Sequence, residues 1–219
     1  MHPEERPMSN PSKDHWEHVY TTKAADAVSW FQQEPTLSLD MIAAAGVPPD
    51  AAIVDIGGGA SLLVDRLLDR GFTRLTILDV SESALALTKA RLGFRAASVA
   101  WLVQDATSWE SPPGTFMLWH DRAVFHFLVD EADRHGYLRA LDRGLAPGGF
   151  AVFATFALSG PERCSGLPVQ RYSAATLQAT LGAGYELIKA IPEMHMTPAG
   201  NRQDYIWCLF RKAADGEHT

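Results

Sequence analysis

Basic residues, cysteines and long apolar runs are scarce in this sequence, and each shortage removes a class of function. Lys and Arg number 19 against 26 Asp and Glu, a formal net charge of −7. A nucleic-acid surface needs clustered Lys and Arg, so no nucleic-acid partner is expected. The two cysteines, Cys164 and Cys208, form no CxxC pair and are too few for a disulfide framework, which makes a reducing cytoplasm the expected setting. No run of eighteen apolar residues occurs, so neither a spanning helix nor a membrane partner is expected. Residues 1–14 are polar and proline-bearing, with no apolar segment after their few charges; a flexible tail is expected there rather than a secretory signal. No HExxH or cysteine site is present, and none of the His and Asp spacings predicts a bound metal.

What remains is an ordinary globular composition, 47% hydrophobic and 21% charged over 219 residues, enough for one domain with a full core. After the tail, His15 to Gln33 reads as a partly helical lead-in carrying Trp16, Tyr20, Trp30 and Phe31. Short apolar runs predict strands at 51–56, 75–80, 99–103, 115–119 and 150–156, and helical spacing predicts helices at 38–45, 60–70, 81–92 and 132–145. Ser81 is placed to cap the third of these helices. A helix at 174–181 and two strands at 185–191 and 205–211 complete the chain. Strands alternating with helices imply a doubly wound α/β sheet, parallel through residue 156, with the last two strands as an antiparallel pair at an edge. Residues 15–219 are expected to form a single domain, with 15–50 as a helical lead-in or lid and the 157–172 loop on the substrate side.

In such sheets ligands bind at the carboxyl ends of the strands. Each of the first three strand ends carries an aspartate. Asp55 precedes the run Ile56-Gly57-Gly58-Gly59-Ala60-Ser61, where consecutive glycines let the backbone turn sharply and approach a ligand. A dinucleotide GxGxxG starting at Gly57 would need glycine where Leu62 stands, and a P-loop would need Gly-Lys-Ser/Thr; both are absent. Asp79, closing the second strand before Val80, is suited to accept both hydroxyls of a ribose. Asp105, in Gln104-Asp105-Ala106 after the third strand, is suited to the exocyclic amine of adenine.

These residues resemble the class I S-adenosylmethionine (SAM)-dependent methyltransferases, a Rossmann-like superfamily. The resemblance covers about Ala51 to Phe156 through the Asp55–Gly59 turn, the Asp79 strand end, the Asp105 segment and Leu145-Ala146-Pro147-Gly148-Gly149. The family usually has a further glycine where this chain has Ser61, which implies slightly altered cofactor contact there. The resemblance implies about seven strands, mostly parallel with an antiparallel last strand, and SAM (product S-adenosylhomocysteine) over the glycine turn. Asp79 and Val80 would meet the ribose and Gln104, Asp105 and Ala106 the adenine. Asp55 and the turn of Gly57, Gly58 and Gly59 would meet the methionine half.

In this family the fourth strand end, here Trp119-His120-Asp121-Arg122-Ala123-Val124-Phe125-His126, faces the transferred methyl group. His120, Asp121 and His126 are therefore the candidates for orienting or deprotonating the acceptor, histidine because it titrates near neutrality. Trp30 and Phe31 are candidates to close over the site or cradle a cationic amine. Arg163, Arg171 and Tyr172 are candidates to reach the acceptor from the 157–172 loop, the arginines for an acidic one. The expected reaction is in-line methyl transfer to a small molecule. The His15–Tyr20 and Ser29–Phe31 segments also resemble protein-lysine methyltransferases, which keeps a protein substrate as the alternative. A SAM-binding module without catalysis is a third reading, and an NAD-dependent oxidoreductase a distant fourth. Oligomeric state is not legible.

Overall fold

A computed structural model describes residues 11–214. Its elements alternate as α1 (Pro11–Thr22), α2 (Thr36–Ala45), β1 (Ala52–Ile56), α3 (Leu63–Asp69), β2 (Arg74–Asp79), α4 (Glu82–Leu92), β3 (Val99–Val103) and β4 (Phe116–Arg122). There follow α5 (Glu131–Gly144), β5 (Leu145–Phe156), a two-strand hairpin of β6 (Arg163–Cys164) and β7 (Leu167–Pro168), α6 (Ala174–Leu181), β8 (Tyr185–Met196) and β9 (Arg202–Lys212). Seven strands form one sheet in the order β3-β2-β1-β4-β5-β9-β8; only β9 runs against the rest, pairing antiparallel with both β5 and β8. The expected doubly wound α/β sheet with an antiparallel last strand is therefore the architecture found.

Period-2 alternation sorts each strand between two cores. Ile53, Ile77, Leu118 and Val152 face α2, α3 and α4, whereas Val54, Trp119, Ala151 and Phe153 face α5 and α6. Both faces are covered, as a mainly parallel sheet requires. Ser81 caps α4 as expected, its Oγ accepting the Ala84 N–H at 3.1 Å.

Two expectations are corrected. The tail assigned to residues 1–14 is too long, because α1 begins at Pro11; proline fits the first turn, where its missing N–H is not needed. Residues 1–10 lie outside the described residues. The fourth strand continues past Trp119 to Arg122, held by pairing of His120, Asp121 and Arg122 with Val152, Phe153 and Ala154. His126 sits in a one-turn 3-10 segment, Phe125–Phe127. Among the described residues no helix is long and apolar enough to cross a membrane.

Candidate active site

At the carboxyl end of the sheet two cavities adjoin, a larger and a smaller, sharing Tyr20, Trp30, Ile56, Gly57 and Arg122 in their walls. The larger is lined by Asp79, Val80, Gln104, Asp105 and Ala106, the smaller by Asp55, Gly58, Ser61, Phe31 and His120. The residues expected around a nucleoside thus share one cavity. Those expected around its other half share the next.

The turn after β1 is shaped for close approach. Gly57 has φ +66°, and a Cβ there would fall 2.2 Å from Val124 Cγ2. A Cβ on Gly59 would fall 2.5 Å from Asp79 Oδ2, so this glycine lies beneath the Asp79 carboxylate rather than lining either cavity. Asp79 accepts the N–H of Ser81 at 2.8 Å and that of Gly59. Burial nonetheless pushes its pKa up to about 7, with the Asp55 charge adding to the rise. Asp105 is anchored by Thr107, whose N–H and Oγ1 both donate to Oδ1 at 2.8 Å. Ser61, where the family usually has glycine, accepts the Leu63 N–H at 3.1 Å and starts α3.

Asp55 and His120 are register partners on β1 and β4, so their side chains leave the sheet on one face. His120 Nδ1 donates to Asp55 Oδ1 at 2.7 Å, and Nε2 lies 3.0 Å from Ser38 Oγ on α2. With Nδ1–H held by the carboxylate, a neutral ring presents Nε2 as an acceptor. All three side chains are buried and border the smaller cavity.

The other two acid–base candidates point elsewhere. Asp121 leaves β4 on the opposite face, accepting from the N–H groups of Val124 (3.0 Å) and Phe125 (3.1 Å) and the hydroxyl of Tyr137 (2.6 Å). It brackets the turn after β4 and borders neither cavity. Burial raises its pKa to about 6, against those hydrogen bonds. His126 is fully buried, and its Nδ1 accepts the Phe156 N–H at 3.1 Å. Burial and the nearby Arg122 charge lower its pKa to about 3, so it is neutral and packed away from both cavities. The loop candidates also turn aside. Arg163 donates to the Gly166 carbonyl, Arg171 pairs with Glu162 at 2.9 Å, and Tyr172 packs on Phe125.

Several wall residues were not anticipated, among them Trp16, Tyr20, Arg122 and Ser38. Trp16 on α1 meets Trp30 and Phe127 edge-on, at ring-centroid distances of 5.5 and 5.1 Å, and roofs the larger cavity. Tyr20 accepts a hydrogen bond from Trp30. Arg122 ends β4 between the two cavities. The aromatic pattern of the lead-in was a signal for the first two; Arg122 is taken up below.

Residues 53–149 match the methyltransferase-domain family, and the match spans the glycine turn, Asp79 and Asp105 that line the cavities. That segment matches a methyltransferase domain, and the sequence around it resembles the class I SAM-dependent methyltransferases. Its cofactor is SAM, and the site fits it: an acidic group at the wall for a diol, an apolar slot at Val80 and Ala106, and a side-chain-free turn. Over 135 residues this methyltransferase is 28% identical to the mouse (Mus musculus) eEF1A lysine and N-terminal methyltransferase, covering 62% of this chain but 19% of that protein. The chain therefore spans about a fifth of that relative's length. The zebrafish (Danio rerio) EEF1A lysine methyltransferase 2 is 24% identical over 95% of this chain and 90% of its own. Among solved structures, Burkholderia thailandensis 1,6-didemethyltoxoflavin-N1-methyltransferase, with its acceptor and S-adenosylhomocysteine bound, superposes with a TM-score of 0.68. That likeness holds at 19% identity over 97% of this chain and 93% of the other, and speaks to the fold. Among the described residues no group of three His, Cys, Asp or Glu side chains is placed to hold a metal.

Proposed function

We propose that this methyltransferase transfers the methyl group of SAM to a small-molecule acceptor in the cytoplasm. The observation that carries the acceptor class is the aromatic roof: Trp16, packed on Trp30 and Phe127, covers the cavity and confines what can enter. Two buried, unpaired thiols, Cys164 and Cys208, accord with a reducing compartment. When bound, SAM supplies a methyl carbon activated by the adjacent sulfonium.

The chain's own residues do the rest. Asp79 holds the ribose hydroxyls, Gln104, Asp105 and Ala106 border the adenine, and Asp55 with Gly57 and Gly58 borders the methionine half. Enclosure excludes water and fixes the acceptor's approach, which is the main requirement for an in-line displacement. Where the acceptor must lose a proton, the Ser38 hydroxyl takes it while passing its own to His120 Nε2, and Asp55 stabilises the resulting imidazolium. Asp121 shapes the loop, and His126 packs beneath it.

A protein-lysine acceptor is the second reading, favoured by the likeness to the zebrafish relative along most of both chains. Methyl-labelled SAM, the purified protein and an extract of its host, followed by size separation, decide between them. Label in the small-molecule fraction above a no-enzyme control is the expected result. Label on a protein band would install the lysine reading instead, and tight SAM binding without transfer would leave a non-catalytic module.

A further inference from the structure

Arg122 carries more hydrogen-bonding capacity than the fold uses. Its Nη1 donates to the Trp30 carbonyl at 2.7 Å, and its Cζ lies 5.3 Å from the ring centroid of Tyr205. The ring attracts the cation but offers no in-plane acceptor. Nε and Nη2 are buried and find no acceptor among the described residues. These two nitrogens form one edge of the planar guanidinium, with their N–H groups parallel, which is the fork that grips both oxygens of a carboxylate. The guanidinium borders both cavities and these two nitrogens gain no acceptor from the protein, a demand that an anion in the cavity would meet. Trp16, Tyr20, Trp30 and Phe127 line the same cavity, with Asp79 and Asp105 on its nucleoside side.

We propose that the Nε–Nη2 edge of Arg122 binds a carboxylate carried by the methyl acceptor, making the substrate an anionic small molecule with an apolar or aromatic body. The proposal rests on the small-molecule reading above and narrows it. A lysine ammonium placed against this edge would meet the like charge of Arg122 instead of an acceptor. The other carboxylate that could reach this edge is the cofactor's own, on its methionyl end, and the test separates the two.

Protein saturated with S-adenosylhomocysteine is titrated with benzoate and, separately, with its neutral counterpart benzamide, reading the Arg122 Nε–H resonance. Benzoate is expected to shift that resonance and to bind at least about tenfold more tightly than benzamide, the preference a charge-assisted fork gives over a neutral amide. Arg122→Gln should abolish the preference, and Arg122→Lys should keep part of it, since the charge survives without the fork. S-adenosylhomocysteine affinity should stay within about threefold in both variants, a change below ~1 kcal/mol. Equal binding of the two probes, or none at millimolar concentration, would overturn the proposal. So would a loss of S-adenosylhomocysteine affinity in Arg122→Gln with 5′-methylthioadenosine, which lacks the carboxylate, bound as before; the edge would then belong to the cofactor. The titration needs no turnover, so its failure is read separately from a failure of label to reach small molecules.

Discussion

Replacing Asp79 with asparagine separates what this side chain costs the fold from what it gives the ligand. The carboxyl is 5% exposed, and burial raises its pKa from an ordinary 3.8 to about 7 despite the hydrogen bonds from Ser81 and Gly59. At about 1.36 kcal/mol per pH unit, that gap corresponds to at most ~4 kcal/mol of destabilisation above pH 7. Relaxation and water in the adjoining cavity reduce this to an expected ~1–2 kcal/mol. The sign follows from proton linkage: with a raised folded pKa, the stability contribution is full below about pH 4 and is lost as pH rises through 7. Asparagine keeps an amide oxygen for the Ser81 N–H and removes the charge. The ligand-free Asp79→Asn protein should therefore melt about 2–8 °C higher than the parent at pH 8, with the difference shrinking by more than half at pH 5. The same variant should bind S-adenosylhomocysteine ~1.5–3 kcal/mol more weakly, having lost a charged acceptor. Thermal melts at the two pH values and calorimetry at pH 8 test both halves. A variant that melts lower at pH 8, or a difference independent of pH, would refute the desolvation argument; unchanged affinity would remove Asp79 from the site.

Glu17 on α1 accepts the N–H groups of Glu82 (2.5 Å) and Ser83 (3.3 Å) at the start of α4, tying the roof to the sheet domain. Glu17→Ala should cost about 1 kcal/mol, the usual worth of a helix cap, and hydrogen exchange in residues 11–22 should speed up about fivefold; unaltered exchange would show that the aromatic contacts alone hold the roof. Burial works to raise the Glu17 pKa, yet the bonds from Ser83 and Glu82 lower it overall, so the clasp is present above about pH 4.5 and loosens as pH falls below that. His126→Ala should lower stability by about 2–4 kcal/mol, from the cavity and the orphaned Phe156 N–H, while the folded fraction binds S-adenosylhomocysteine as before. Because the His126 pKa is depressed to about 3, the stability it contributes is full above about pH 6.5 and falls as pH drops towards 3; the variant should lose that part of the acid limb in a pH series of melts.

Features set by local chemistry were legible in the sequence, and features set by pairing across the sheet were not. The glycine turn, the Ser81 cap and the three aspartates follow from residue type and spacing within a few positions. The true length of β4 does not, since His120 to Arg122 are strand only because Val152 to Ala154 lie beside them. The same holds for β8 and β9, which extend to Met196 and back to Arg202 by pairing with each other. That hidden length decides which side chains of β4 face the cavities. A charge at a strand end is costly to bury, and at Asp121 the structure meets that cost with Val124, Phe125 and Tyr137. Once β4 is known to run through residue 122, alternation puts His120 and Arg122 on the cavity face and Asp121 behind the sheet. Put to Arg122, the same argument gives the opposite answer, because two of its nitrogens are buried with no partner in the fold. That unmet demand at a cavity wall is what the proposed carboxylate would satisfy.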